Sequence, residues 1–148
     1  MKRLHLLFMT IIALLILSSC SKKDDDCPVI DIIEPAINIT ILDSLGNSLI
    51  GENNIYKPSE ITLIRGAQTV FLSFQENNDI TYIRLLYTDM ESEMDYELKL
   101  NELETDILNI KYRSERGECY DYLVVEAFYV NGEELVYDND LYSYIIRK

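Results

Sequence analysis

Histidine is nearly absent from this chain: His5 is the only one in 148 residues, and tryptophan is missing altogether. His5 lies in an apolar N-terminal stretch, so the body of the chain has no general base of the kind most often used near neutral pH. This excludes Ser-His-Asp and Cys-His catalytic arrangements and histidine-ligated zinc. The lack of tryptophan also weakens the case for a sugar-stacking surface.

Glycine is scarce as well, with five in the whole sequence, and none of them forms a phosphate-cradling loop. Acidic residues number 26, so a paired-carboxylate glycosidase is the one enzymatic alternative left open. Nothing in the spacing singles out such a pair. We therefore expect a protein that is not an enzyme and that needs no cofactor or metal.

Long hydrophobic runs are lacking too, because the longest apolar stretch is 6–17, interrupted at Thr10. A bilayer-spanning helix needs roughly 20 apolar residues, so this run is too short to be a permanent anchor. Lys2 and Arg3 precede it, and the small Ser18 and Ser19 follow it. That order is typical of a cleaved export signal.

The end of the stretch, Leu17-Ser18-Ser19-Cys20, resembles the lipobox of bacterial lipoproteins. The resemblance implies a lipoprotein signal peptide over 1–19, cleavage before Cys20, and attachment of acyl chains to Cys20. A protein with several acyl chains is held stably at a membrane without a spanning helix.

The next residues, Ser21-Lys22-Lys23-Asp24-Asp25-Asp26, resemble the export signal of surface lipoproteins from Bacteroidota-type bacteria. That resemblance implies an outer-membrane protein facing the cell exterior. A run with this many charges has no apolar side chains to bury. We therefore expect residues 20–35 to form a lipidated flexible tether before a domain at 36–148.

Loss of the signal would deepen the negative charge of the chain. Removing Lys2 and Arg3 from the 13 basic residues leaves 11 against 26 acidic ones, a formal charge of −15. Such a field repels phosphate backbones, so we expect no nucleic-acid partner.

The chain has three cysteines. If Cys20 is lipidated, Cys27 and Cys119 remain as an even pair in an oxidising compartment, and we predict a disulfide between them. The alternative is two free thiols.

Period-two patterning dominates the remainder of the chain and predicts strands. Apolar and polar residues alternate over 94–100 and 108–112, whereas 80–88 and 122–130 are apolar on both faces, as in central strands. Further strands are predicted at 38–42, 61–65, 70–74 and 141–146. A helix over 90–110 is the competing interpretation.

Turn residues separate these strands at 43–47, 76–79 and 130–133, and Asn131-Gly132 favours a tight hairpin that pairs 122–130 with 134–137. We predict an all-β fold, a single antiparallel β-sandwich of immunoglobulin-like or transthyretin-like type. Residues 37–50 are similar to the first hairpin of carboxypeptidase-regulatory-like and prealbumin-like domains, which implies the same fold class.

Three features are candidate sites. Tyr137, Tyr142 and Tyr144 lie close in sequence, and the last two would share one face of a strand and contact a ligand or, alternatively, rim the core. The oxygen-rich 138–140 run follows Glu133 and Glu134 and suits calcium or, as we favour, a polar turn. Asp43-Ser44-Leu45 resembles the O-glycosylation motif of exported Bacteroidota-type proteins, which implies a glycan on Ser44.

These features predict a non-enzymatic outer-membrane lipoprotein that acts as a cell-surface binding or adhesion module. Its partners would be the membrane, through the lipid anchor, and an extracellular ligand or outer-membrane protein. The alternative is a structural accessory subunit of an outer-membrane transporter or fimbrial complex.

The Cys20→Ala variant tests the anchor. We expect it to lose all incorporation of labelled fatty acid in cells, because Cys20 supplies the sulfur to which the lipid is attached. Labelling is read from the immunoprecipitated protein, and the Cys27→Ala variant serves as the matched control. Persistent labelling of Cys20→Ala would contradict the lipoprotein assignment.

Overall fold

The computed structural model describes residues 36–86, 89–117 and 121–148. This part of the chain is all-β and contains no helix, which confirms the predicted fold class and contradicts the helical interpretation of 90–110. The strands are β1 (Ala36–Leu42), β2 (Thr62–Arg65), β3 (Gln68–Val70), β4 (Leu72–Asn77), β5 (Ile80–Leu86), β6 (Asp95–Lys99), β7 (Thr105–Arg116), β8 (Asp121–Val130), β9 (Glu133–Glu134), β10 (Tyr137–Asp138) and β11 (Ser143–Arg147).

The strands form two sheets. One has five strands in the order β10-β11-β1-β5-β4, and the other has six in the order β3-β2-β6-β7-β8-β9. Every pair is antiparallel except β1 with β11, which run parallel from Ile39 opposite Tyr144 to Leu42 opposite Arg147. The last strand of the chain is therefore hydrogen-bonded to the first.

The inner faces of the two sheets share one hydrophobic core. Ile39 and Ile83 come from the first sheet, Leu98 and Phe128 from the second, and all four are fully buried. The edge of the Tyr144 ring, on β11, meets Phe128 with ring centroids 4.8 Å apart. The sandwich is thus closed by direct packing between sheets, as the alternating pattern requires.

The alternation predicted for 94–100 and 108–112 is confirmed. In β6 the side chains are exposed and buried in strict turn, with Tyr96 and Leu98 inside. In β7 Leu108 and Ile110 are buried. One wet and one dry face is what period-two sequence produces when a strand covers a core.

The three predicted turns form, and each relies on positive φ. Asn131 and Gly132 have φ of 53° and 83°, and Asn78 and Asp79 have φ of 51° and 62°, as two-residue hairpins of the primed type require. In the third turn Gly46 has φ of 88°. Asn, Asp and Gly tolerate this region best, so the local sequence specifies these connections.

The strand predicted over 70–74 is wrong as a single element. The chain leaves the six-stranded sheet after Val70 and enters the five-stranded sheet at Leu72. Between them Phe71 is 63% exposed. Alternation continues through such a crossover, so the sequence pattern does not reveal that the two halves belong to different sheets.

The prediction of a central strand over 122–130 is also wrong for most of its length. β8 pairs with β7 throughout, but on its other side only Tyr129 and Val130 pair with the two-residue strand β9. The predicted pairing with 134–137 is shorter than expected, because Tyr137 belongs to β10 in the other sheet. The apolar residues of β8 reflect one buried face and a half-buried outer edge, and not pairing on both sides.

Within the described residues, no helix has the length and apolarity needed to cross a membrane.

Truncation of Phe128 tests the core. Phe128 has no exposed surface and contacts the opposite sheet, so Phe128→Ala should lower the free energy of unfolding by about 3–5 kcal/mol. Leu45→Ala is the control, because Leu45 is 85% exposed and its loss should change stability by about 0.5 kcal/mol or less. Urea denaturation measures both. Equal effects would show that the sheets do not depend on this contact.

Candidate functional site

The predicted tyrosine group is only partly assembled. Tyr137 and Tyr144 are cross-strand neighbours on β10 and β11, with ring centroids 5.2 Å apart. Tyr144 in turn contacts buried Phe128, and burial raises its pKa. Edge-to-face contacts therefore lead from Phe128 in the core through Tyr144 to Tyr137, which is outermost and 40% exposed.

Tyr142 does not take part in these ring contacts. It lies in the turn before β11 rather than on the strand, and its φ of 49° is left-handed. The prediction that Tyr142 and Tyr144 share one strand face is therefore wrong, because strand alternation does not extend into a turn of this geometry. The Tyr142 carbonyl accepts a 3.2 Å hydrogen bond from Asn38 Nδ2, and its side chain is 69% exposed.

The oxygen-rich run at 138–140 has the geometry of a polar turn. Asp138 Oδ1 accepts the backbone N–H groups of Asp140 and Leu141, each at 2.9 Å. This use of the carboxylate stabilises the turn itself. In the part of the chain that the structure describes, no group of acidic side chains is arranged to hold a metal ion.

Ser44 is exposed in the turn between β1 and Ser48. The neighbouring Asp43 carboxylate accepts the backbone N–H groups of Leu45 and Asn47 and the Asn47 side-chain amide, each at 2.8 Å. Hydrogen bonding to Asn47 lowers the pKa of Asp43. Asp43 therefore holds the turn in shape and leaves the Ser44 hydroxyl at the surface.

The two cysteine predictions, lipidation of Cys20 and a disulfide between Cys27 and Cys119, concern positions outside the described residues and remain predictions.

One end of the sandwich carries several of the connecting loops, and we call it the loop end. It comprises residues 43–47, 51–56, 101–104 and 131–132. The C-terminal ends of β1 and β11 lie here, since Leu42 is opposite Arg147. β1 begins at the other end, where Ala36 is opposite Leu86.

A polar cluster joins the loops at this end, and we call it the Lys148 network. Lys148 Nζ donates to Glu104 Oε1 at 2.6 Å and to Asp106 Oδ1 at 2.8 Å. Asn131 Nδ2 donates to the same Asp106 oxygen at 2.8 Å, and the Tyr56 hydroxyl donates to Glu104 Oε2 at 2.7 Å. The network connects the end of the five-stranded sheet to loops of the six-stranded one.

Burial and charge pairing act together in the Lys148 network. The Asp106 side chain is 3% exposed and that of Lys148 is 20% exposed. Burial disfavours the Lys148 ammonium, but hydrogen bonds to Asp106 and Glu104 outweigh it and raise the pKa of Lys148. Hydrogen bonds from Lys148 and Tyr56 lower the pKa of Glu104, and burial raises the pKa of Tyr56. The folded state therefore favours the charged forms of Lys148 and Glu104.

A groove of about 630 Å³ borders this network. Leu135, Val136 and Tyr137 give it apolar walls, and Asp106 and Lys148 give it polar ones. Asp106 Oδ2 is buried and has no hydrogen-bond partner in the described part of the chain. Half of the residues that line the groove are polar or charged, so its surface is mixed.

The loop end also exposes aliphatic side chains at the tips of three loops. Leu45 is 85% exposed, Ile55 is 65% exposed and Leu103 is 97% exposed. Each follows or precedes polar residues of its own turn, so the three side chains stand above a polar surface. The three exposed apolar side chains thus belong to the same end of the sandwich.

Sequence reasoning identified Tyr137 but did not identify the Lys148 network or the apolar loop tips. Glu104, Asp106 and Lys148 carry no motif, and their partners lie 42 to 44 positions away along the chain. One signal was present in the sequence. Asp106 is two residues before Leu108, so the strand pattern places this charged residue on the buried face of β7. A charged residue on a core face indicates a paired partner.

No protein-family model matches this chain, and no curated protein or solved structure matches it.

The pH dependence of stability tests the Lys148 network. The folded-state pKa of Glu104 is below the ordinary value of 4.5, so its carboxylate stabilises the fold above that pH and loses this effect as the pH falls through the lower, folded value. Glu104→Gln should therefore lower the urea midpoint at pH 7, and the difference from wild type should shrink below pH 4.5.

Glu102→Gln is the control for this measurement, because Glu102 is exposed on the same loop and has no ion pair within the described residues. It should shift the midpoint little at any pH. A Glu104→Gln effect that stays constant from pH 7 to pH 3 would show that the carboxylate charge is not what stabilises the loop end.

Proposed function

We propose that this protein is a non-enzymatic, lipid-anchored outer-membrane protein whose sandwich binds an extracellular ligand or partner through the loop end. The observation that carries the proposal is the placement of that end. β1 starts at the opposite end of the sandwich, so a tether that leads from Cys20 into β1 would hold the loop end away from the membrane. Surface binding modules commonly use loops presented by a rigid β-scaffold.

The chemistry of the loop end supports binding better than catalysis. Asp106 and Glu104 are neighbouring carboxylates at this end, but both are engaged by Lys148 Nζ. Neither is therefore positioned as an acid and base flanking an open cleft. The apolar tips at Leu45, Ile55 and Leu103, together with a groove lined equally by apolar and polar residues, instead match the mixed composition of recognition surfaces.

The accessory-subunit alternative has its own support in β4. This strand is at the edge of the five-stranded sheet and pairs only with β5 among the described residues. Six residues, Leu72–Asn77, thus present an unpaired backbone to which an extended segment of a partner could add. Strand addition of this kind is a common way of assembling protein complexes.

Site-specific photo-cross-linking on intact cells tests the proposal. A photoreactive residue replacing Leu103, which is 97% exposed at the loop end, should form adducts with an extracellular glycan or protein. The same residue replacing Phe71 is the matched control, since Phe71 is also apolar and 63% exposed but lies at the crossover between the sheets.

Adducts from position 103 and none from position 71 would support binding through the loop end. Adducts at position 71 with a resident outer-membrane protein, and none at position 103, would favour the accessory role through the neighbouring β4 edge. Full protection of the domain from protease added to intact cells would contradict display on the cell surface, whichever residue is labelled.

A further inference from the structure

β7 and β8 extend beyond the rest of their sheet as a two-stranded ribbon, formed by Tyr112–Arg116 and Asp121–Val125. β6 pairs with β7 only as far as Asn109, so the ribbon has no strand on that side among the described residues. On the other side, β9 pairs only with Tyr129 and Val130, and Phe128 O accepts the Leu135 N–H. Among the residues that the structure describes, none pairs with the outer side of β8 over 121–127, and we call this side the β8 edge.

The ribbon differs from the rest of the chain in its charge. The whole chain has 26 acidic against 13 basic residues, whereas basic and acidic residues are equal in number over 111–116 and 121–127, around the β8 edge. Three basic residues there face three acidic ones: Lys111, Arg113 and Arg116, and Glu115, Asp121 and Glu126.

Four of these six charged residues form ion pairs with one another. Lys111 Nζ lies 3.4 Å from Glu126, and Arg113 Nε lies 2.7 Å from the same carboxylate. Arg113 also pairs with Glu115, whose carboxylate accepts the Tyr122 hydroxyl at 2.7 Å. Arg116 and Asp121 form no ion pair within the described residues, but the six charges sum to zero, so another acidic surface meets no net negative charge at the β8 edge.

The β8 edge is also self-complementary in sequence. In antiparallel pairing with an identical strand, a two-fold axis through a residue keeps the wet faces of both sheets on the same side. An axis through Val124 places Leu123 opposite Val125 and Tyr122 opposite Glu126. A β-bulge follows at Glu126, because Lys111 and Tyr112 of β7 pair with Ala127 and Val125, so the regular pairing covers 122–126. Over this segment apolar side chains meet apolar ones, and no like charges are opposed.

We propose that the β8 edge pairs with the β8 edge of a second copy of this chain, antiparallel and centred on Val124. The two six-stranded sheets then form one continuous sheet across a symmetric interface. A single strand pair buries less than a standard interface, so the association is weak and suits chains concentrated on a membrane surface. Unlike the binding function proposed above, this interaction does not involve the loop end.

Sedimentation of the purified full chain, in detergent with less than one chain per micelle, tests the association. The wild type should dimerise in a concentration-dependent manner. Raising the salt from about 50 to 500 mM should strengthen the dimer, because the acidic bodies repel while the neutral edge does not. A wild type that stays monomeric up to millimolar concentration would overturn the proposal.

Val124→Lys should weaken dimerisation by about tenfold or more, because the two-fold axis brings the two lysines together. Val124 is half-buried on the ribbon, so the folded monomer should be retained, which circular dichroism verifies. Thr105→Lys adds the same charge at an exposed position outside the ribbon and should leave dimerisation unchanged. Equal effects of the two variants would overturn the proposal.

Photo-cross-linking identifies what occupies the edge. A photoreactive residue at Val124, in a mixture of isotopically light and heavy chains, should give mixed adducts that map to 122–126 of the other copy. Adducts confined to light–light and heavy–heavy pairs, mapping to the N-terminal segment of the same chain, would overturn the proposal and assign the edge to that segment. Adducts to β4 of another copy would overturn it in favour of head-to-tail assembly.

Discussion

The parallel pairing of β1 with β11 is the constraint on which the arrangement of this protein depends. It joins the last strand to the first, places Tyr144 over Phe128, and delivers Lys148 to the loops of the opposite sheet. The Lys148 ammonium then satisfies two acidic groups that burial would otherwise penalise. Without that pairing, the loop end would have neither its polar network nor its groove.

The two ends of the sandwich have different properties. The loop end is polar at its centre and carries isolated aliphatic side chains at its tips. The ribbon at the other end is locally neutral in a strongly acidic chain. We propose different partners for these surfaces, an extracellular ligand for the loop end and a second copy for the β8 edge, because their chemistry differs.

Local sequence predicted what local physics controls. Alternation in 94–100 and 108–112 identified β6 and the first half of β7, because one face of each is buried. Asn131-Gly132 identified its turn, because few residues tolerate two successive positive φ values. The errors at Phe71, β8 and Tyr142 share a cause: periodicity reports which residues are apolar, but not which sheet a strand joins, whether its outer side is paired, or where its first residue lies.

The sequence by itself determined the all-β class, the positions of the turns, the acidic character and the scarcity of catalytic groups, since composition and short-range pattern carry that information. It also supplied the lipoprotein-like N-terminus, on which the proposed location depends. Only the tertiary structure decided which loops meet, that Asp106 is buried beside Lys148, and that no described residue pairs with the outer side of β8 over 121–127. Those features arise from contacts between residues far apart in the chain, and no local pattern encodes them.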